Sequence, residues 1–442
     1  MNYQSLIKKS QTMGFSDFEI YVDHSKAISL SVFNGHIDKN TISDNKTISV
    51  RGIYQGKMAY LTIENDQEDF DYLLTTLKNN ALSLTSDEEF VIFGGSDSYP
   101  QVQAIDSGFE KVTIDKKVEM VLSLEKHIKA LDQRIVFVPY CGYSEVKQSI
   151  TIINSLGLNL TKANEYAYLV AQAVAKENDD TQSCFDVEVK LRYDDLHVET
   201  LAKKVVDKTL AKLNASPVAS KNYPIIFERE AMGDLFNTFD SFFSGEAAIK
   251  KLTPLLNKEG EKIMSDKITI VDDPLHRDAI NLQPFDDEGV ACYRKTVVEK
   301  GVFKTLLHNL KTAKYFKTTS TGNGFKPSVA ATVNVSGTNL LIEPGEKTLA
   351  QLVSETQEGL LITELAGLHA GANPITGDFS AQSSGFLIKD GKIDRPVNLI
   401  VVSGNFLKMM NDVESVGSDL KLGYNGIGTP SIKFVGLQVS GK

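Results

Sequence analysis

The chain has 442 residues, 42% hydrophobic and 24% charged; it exceeds the size at which one hydrophobic core keeps growing, and its composition excludes disordered and fibrous classes. A formal net charge of −10 and a pI near 5.4 argue against direct nucleic-acid binding, and no apolar run is long enough to span a bilayer as a helix. Cys141, Cys184 and Cys292 are far apart and read as free thiols, and the start, MNYQSLIKKSQTMGF, lacks the apolar segment of a secretory leader, so the expected location is the cytoplasm, away from membranes.

In chain order, YQSLIKKSQTMG has helical spacing and stops at Gly14. FEIYVDH, AISLSVFNG and ISVRGIYQGKMAYLTI are rich in β-branched and aromatic residues, with Asn34-Gly35 and Gln55-Gly56 as hairpin turns. DQEDFDYLLTTLKNNAL returns to helical spacing, and a polar interval from about residue 83 to 108 reads as a connector. A second helix, IDKKVEMVLSLEKHIKAL, precedes the strands IVFVPY, VKQSITIINS, EYAYLVAQAVAKE and FDVEVKLRY, and VETLAKKVVDKTLAKL closes the half. The layout of helix, strands and helix thus occurs twice, marking related or merely similar α+β units at about 1–85 and 109–215.

A stretch of small residues around Pro217, from 214 to 222, marks the boundary between an N-terminal α+β domain, 1–218, and a β-rich C-terminal domain, 219–442. Beyond it YPIIF reads as a strand and EREAMGDLFNTFDSFF as a helix. Hairpin turns follow at EKGVF (299–303) and KDGKI (389–393), with SIKFVGLQVSG as the final strand. The fold class is therefore α+β, with antiparallel sheets.

No familiar catalytic motif stands out. The seven histidines have no pair at helical ligand spacing, and neither G-x-S-x-G nor a phosphate-binding loop occurs. The acidic stretch VDDPLHRDAINLQPFDDEG, with Asp272, Asp273, Asp286, Asp287 and Glu288, offers oxygen ligands for a hard cation, although such stretches are more often solvated loops.

The string PFDDEGVACYRKTVVEKGVFKTLLHNLKTAKYF, then STGNG, then GANPITGDFSAQSSGFLIKDGKIDRPV, resembles the C-terminal domain of the TldD/PmbA family. VFNGHIDKNT, SVRGIYQGKMAYLTI and INSLGLN extend the resemblance over nearly the whole chain. In that family, TldD-type subunits resemble zinc metalloproteases with an H-E-A-x-G-H helix and a C-terminal cysteine ligand, whereas TldE-type (PmbA) subunits lack those ligands and accompany them. Here the strand YPIIF is followed by Arg229, Glu230, Ala231, Met232, Gly233 and Asp234, placing Arg229 and Asp234 at the histidine positions and Glu230 at the glutamate; no cysteine follows Cys292.

A guanidinium has no lone pair for a metal, so the resemblance implies a subunit without catalytic residues or a metal of its own, with zinc in a TldD-like partner. If the motif's geometry survives, Arg229 and Asp234 pair in place of the metal; otherwise Glu230 is simply a good helix former. The resemblance further assigns His369, Asn373, Gly377, Asp378 and Ser380 to a peptide channel or partner interface, against a reading as turn residues and local caps. The implied activity, for the complex, is hydrolysis of unfolded or extended peptides, with a homodimer when the chain is alone. The alternative is a stand-alone regulatory or binding protein, like a DNA gyrase modulator, acting through protein partners.

Overall fold

A computed structural model describes residues 2–63, 69–85 and 91–442. In the N-terminal half, α1 (Tyr3–Thr12) leads into β1 (Phe15–Phe33), β2 (His36–Tyr54) and β3 (Lys57–Ile63), followed by α2 (Phe70–Ser83). After a described stretch without helix or strand from 91 to 108 come α3 (Ile114–Leu131), β4 (Ile135–Asn154), β5 (Asn159–Glu177), β6 (Asp180–Lys190) and α4 (Val198–Leu210). Residues 66–68 of the helix expected over DQEDFDYLLTTLKNNAL and 86–90 of the expected connector lie outside the described residues.

Both helix-and-strand units feed one six-stranded sheet, ordered β3-β2-β1-β4-β5-β6 and antiparallel throughout. The joint is β1 against β4, from Glu19 opposite Asn154 to Val32 opposite Cys141. The turns at Asn34-Gly35 and Gln55-Gly56 place both central residues at positive φ, the conformation that matches the twist of tightly joined strands. Helices α1 and α2 cover one end of one face through Leu6, Leu73, Leu74 and Leu77; α3 and α4 cover the other end through Val121, Leu124, Leu201 and Val205.

In the C-terminal half, β7 (Lys221–Phe227) lies between Glu358–Ala366, parallel to it, and Ile432–Ser440, antiparallel. Strands Asp378–Lys389 and Lys392–Asn405 follow outward, and the latter also pairs with Ile432–Ser440, closing these strands into a barrel. A smaller sheet is built around Ile270–Asp272, Lys295–Glu299 and Leu340–Ile342. α5 (Arg229–Thr238) packs Ala231, Met232, Leu235 and Phe236 into this half's core. The sequence predicts one helix over EREAMGDLFNTFDSFF. Instead the α-helix ends at Thr238 and, after Phe239, a 3-10 turn, Asp240–Phe243, follows, which lets Phe239, Phe242 and Phe243 all enter a core shared with Phe406.

Candidate functional site

β7 delivers the chain to α5, and Glu228 caps the helix by accepting the Glu230 backbone N–H at 2.9 Å. Arg229 occupies the first helical position. Its main chain is fixed by Ser431 Oγ, which accepts its N–H at 3.1 Å, and by Thr429, whose hydroxyl donates to its carbonyl at 2.7 Å. The guanidinium reaches the Asp419 carbonyl through Nη1 at 3.4 Å, and Nε lies 3.3 Å from Glu228 Oε1. Among the described residues no ion pair joins Arg229 to Asp234. The expected pairing therefore fails, because α5 is a regular helix and residues five apart point about 140° away from one another.

Glu230 is held far more tightly than a surface helix former. Lys208 Nζ of α4 donates to Oε2 at 2.5 Å, Lys421 Nζ donates to Oε1 at 2.6 Å, and Lys204 Nζ lies 3.6 Å from Oε1. Burial would raise the Glu230 carboxyl, but the hydrogen bonds from Lys208 and Lys421 outweigh it and hold the group far below the usual carboxylate range. Lys208 also contacts buried Asp186 at 2.7 Å, and the two carboxylates overcome its own burial to raise its ammonium. Burial raises Asp234, reinforced by the charges of Glu230 and Glu364. Sequence reasoning missed both lysines, 22 and 191 residues from Glu230, because only the fold brings them there.

These residues do not fit zinc. Arg229 offers no lone pair, and each Glu230 oxygen already accepts from an ammonium group. Among the described residues no group of three or more His, Cys, Asp or Glu side chains is arranged to hold a metal. Cys292 is buried, its Sγ donates to the Gly322 carbonyl at 3.1 Å, and burial pushes its thiol well above the ordinary range. A glutamate serving as general base needs a carboxylate tuned toward neutrality, whereas this one is tuned away from it.

Beside α5 lies the short helix Leu368–Gly371, which carries His369. It leads into a surface turn where His369, Asn373, Asp378 and Ser380 are exposed and Gly377 is buried. Asn373 Oδ1 accepts the N–H groups of Ile375 and Thr376 at 2.9 and 3.2 Å. Asp378 accepts from Asn405 Nδ2 at 2.9 Å and Thr376 Oγ1 at 2.7 Å, bonds that lower its carboxyl. Ser380 Oγ shares a 3.0 Å hydrogen bond with Ser403 Oγ. The turn and the Arg229–Asp234 segment are thus neighbours, and the turn's polar side chains are largely spent on its own backbone and on the adjoining strand.

The acidic stretch is no solvated loop. Asp272 is fully buried, receiving Lys295 Nζ at 3.0 Å and Asn323 Nδ2 at 2.8 Å. Asp286, Asp287 and Glu288 are at most 5% exposed, because the loop plugs into the N-terminal sheet. Lys162 of β5 donates to Asp287 Oδ1 at 3.0 Å, Arg51 of β2 stands 4.0 Å from Glu288 Oε1, and Arg51 Nε donates to Glu19 at 2.7 Å. Asp286 accepts three loop N–H groups, from Glu288, Val290 and Gly324. Each acid here has a structural partner.

Known proteins resemble this chain over nearly its whole length. Family models described as the PmbA/TldA metallopeptidase C-terminal domain, central domain and domain 1 match residues 220–441, 108–213 and 18–81. The metalloprotease PmbA homolog of Buchnera aphidicola from Acyrthosiphon pisum is 30% identical over 332 residues, covering 74% of this chain and 71% of that protein. The same organism carries a metalloprotease TldD homolog 26% identical over 263 residues, covering 56% and 54%. Among solved structures, a Thermotoga maritima protein provisionally assigned as a modulator of a DNA gyrase has a TM-score of 0.91 at 30% identity, covering 99% of each chain. TldE of Thermococcus kodakarensis has a TM-score of 0.90 at 26% identity, covering 99% of this chain and 100% of that one. The chain belongs to the PmbA/TldD metallopeptidase family and is of its PmbA/TldE type.

Proposed function

We propose that this chain is a non-catalytic subunit of a zinc metalloprotease that hydrolyses unfolded or extended peptides, and that a TldD-like partner supplies the zinc and the activated water. The observation that carries this reading is the state of Glu230, clamped by Lys208 and Lys421 beside an arginine that cannot bind metal. The occurrence of PmbA-type and TldD-type relatives in one organism supports a paired arrangement. A strand-rich framework suits extended substrates, which add backbone hydrogen bonds to a sheet edge. In this role the exposed turn at His369, Asn373, Asp378 and Ser380 belongs to the channel or the partner contact.

The test is zinc content and cleavage of a flexible peptide by this chain alone, by a TldD-like protein of the same organism alone, and by the mixture. The expected result is no stoichiometric zinc in this chain, with activity in the mixture above that of the partner alone. Stoichiometric zinc and cleavage by the isolated chain would overturn the assignment. The similarity to the Thermotoga protein favours a second reading, regulation of a topoisomerase through protein contact, since the acidic net charge argues against direct binding to the DNA backbone. Co-purification with a topoisomerase in place of a TldD-like chain would favour it.

A further inference from the structure

The face of the N-terminal sheet away from its helices meets the C-terminal half in a polar seam, and a small cavity is left within it. Tyr21 of β1, Ser49 and Arg51 of β2 and Tyr60 of β3 line the sheet side, while Lys326 and Val333 line it from the C-terminal half. Tyr21 stands opposite Ser49 and Arg51 opposite Tyr60, so the three strands present these side chains on one face. About 10 Å³ of free room remains, enough for one water-sized group. Tyr60, Lys326 and Val333 are partly exposed, which gives a ligand its way in.

Lys326 is the unusual member. A lysine drawn out of water is ordinarily paired with an acid, yet among the described residues no carboxylate forms an ion pair with this one. Its Nζ donates to Ser49 Oγ at 3.1 Å and lies 4.6 Å from the centre of the Tyr21 ring. A second cation shares the cavity. Arg51 is 7% exposed; its Nε donates to Glu19 at 2.7 Å, and its Nη2 is buried without a hydrogen-bond partner among the described residues. The neighbouring acids are already met by other donors. Glu19 accepts from Arg51 and, at 3.3 Å, from Asn154 Nδ2; Asp287 accepts from Lys162 Nζ at 3.0 Å and from the Lys326 backbone N–H at 2.9 Å. Burial, then the charge of Arg51, pushes the Lys326 ammonium down to about 8 against the pull of Asp287 and Glu19.

Two cations thus line one cavity, one without a counter-ion and the other with an unspent N–H₂ group, and the missing partner is an anionic oxygen. We propose that this cavity binds a single carboxylate group, carried by a free small acid or by the C-terminal end of a peptide, with one oxygen held by Lys326 and Arg51. Charge-assisted hydrogen bonds of this kind are the strong ones, and a guanidinium and an ammonium both donate to carboxylate oxygens. The room admits one oxygen, so the remainder of the ligand lies at the opening, beside the apolar side chain of Val333. Only Lys326 lacks a counter-ion, so the site balances one negative charge; a dianion such as phosphate would leave an excess facing Glu19 and Asp287. The site is remote from Glu230 in the fold and does not depend on the proteolytic reading.

The experiment is titration calorimetry of the full chain with sodium formate at constant ionic strength, repeated on Lys326→Met after circular dichroism has shown the variant folded. Formate has three non-hydrogen atoms, which sets a best Kd of about 1 mM. The expected result is a Kd near that value for the native chain and binding at least tenfold weaker in the variant. The same site is read in the unaltered chain by labelling with an amine-reactive ester, located by mass spectrometry. Formate at about 10 mM, tenfold above that Kd, should slow the labelling of Lys326 at least threefold. A flexible peptide is then tested with a free and with an amidated C-terminus. Protection by the free form alone assigns the carboxylate to a peptide end, and protection by formate but by neither peptide assigns it to a free small acid. Absence of both binding and protection in the native chain overturns the proposal, as does formate binding unchanged in Lys326→Met. Equal protection by the amidated peptide, or by sodium chloride at the formate concentration, shows that no carboxylate is recognised and overturns it as well.

Discussion

Replacing Glu230 with glutamine removes the charge from the centre of the Lys208–Lys421 cluster while keeping the shape. The side chain is 33% exposed, so its pairs lie between exposed ion pairs, worth about 0.2–1 kcal/mol each, and buried ones, whose disruption costs about 3–5 kcal/mol. Two short contacts at this intermediate depth give an expected loss of about 1–2 kcal/mol, a fall in melting temperature of about 1–2 °C for a chain of this length unfolding as one unit. The pH dependence has a definite sign. A carboxylate lowered in the folded state contributes stability that is complete above its unfolded value, near 4.3, and declines as pH falls below it. The gap between native chain and variant should therefore be full at neutral pH and narrow under acid.

The assay is thermal and urea unfolding of the native chain, Glu230→Gln, Lys421→Met and the double variant, with peptide cleavage measured alongside in the presence of a TldD-like protein. A coupling energy above about 0.5 kcal/mol is expected between the two sites. Activity per folded assembly should be unchanged. Zero coupling with unaltered stability would refute the clamp. A collapse of cleavage in Glu230→Gln without any loss of stability would show that the carboxylate does chemistry.

Gly385→Ala should lose about 3 kcal/mol or fail to fold, since its Cβ would lie 1.9 Å from the Leu361 carbonyl oxygen on the paired strand. Gly56→Ala, in open space at φ +77°, should lose only about 1–2 kcal/mol through backbone strain; equal losses in urea titrations would contradict the packing argument. His308 is 5% exposed, and burial pushes its imidazole down to about 4. Because the unfolded chain takes up its proton near 6.5, the contribution of His308 should fall between pH 6.5 and 4 by up to about 3 kcal/mol, read as a shift of that size in the stability difference between the native chain and His308→Gln over the same window. Arg51→Met leaves Glu19 and Glu288 buried without their cation, with an expected loss of about 3–5 kcal/mol in the same titrations.

Elements governed by local chemistry were legible in the sequence. The turns at Asn34-Gly35, Gln55-Gly56 and Lys300-Gly301 adopt the positive φ that their residues permit, and KDGKI turns with Asp390 and Gly391 both at positive φ. Repeated patterns of helix and strands gave the elements of the N-terminal half but not their union. Whether two hairpins form two sheets or one depends on β1 finding β4, a contact between residues more than a hundred positions apart. The same limit applied to PFDDEG, whose acids resemble those of a solvated loop. Their cations, Arg51 and Lys162, lie on distant strands, and nothing local to the motif announces them.

The metal-motif segment carries this reasoning furthest. A helix reading R-E-A-M-G-D carries an acid at its second position, and the sequence alone leaves open whether that acid is a base, a remnant or a helix former. The answer depends on what surrounds the carboxylate. A metal-bound water and an apolar pocket would tune it toward proton transfer, while two ammonium groups within hydrogen-bonding distance fix it as an anion. Lys208 comes from α4 of the N-terminal half, and Lys421 from the two-residue strand Lys421–Leu422 of the smaller C-terminal sheet. The clamp therefore also ties the two halves of the molecule together. This structural use calls on the charge and the reach of Glu230, both of which the two lysines engage.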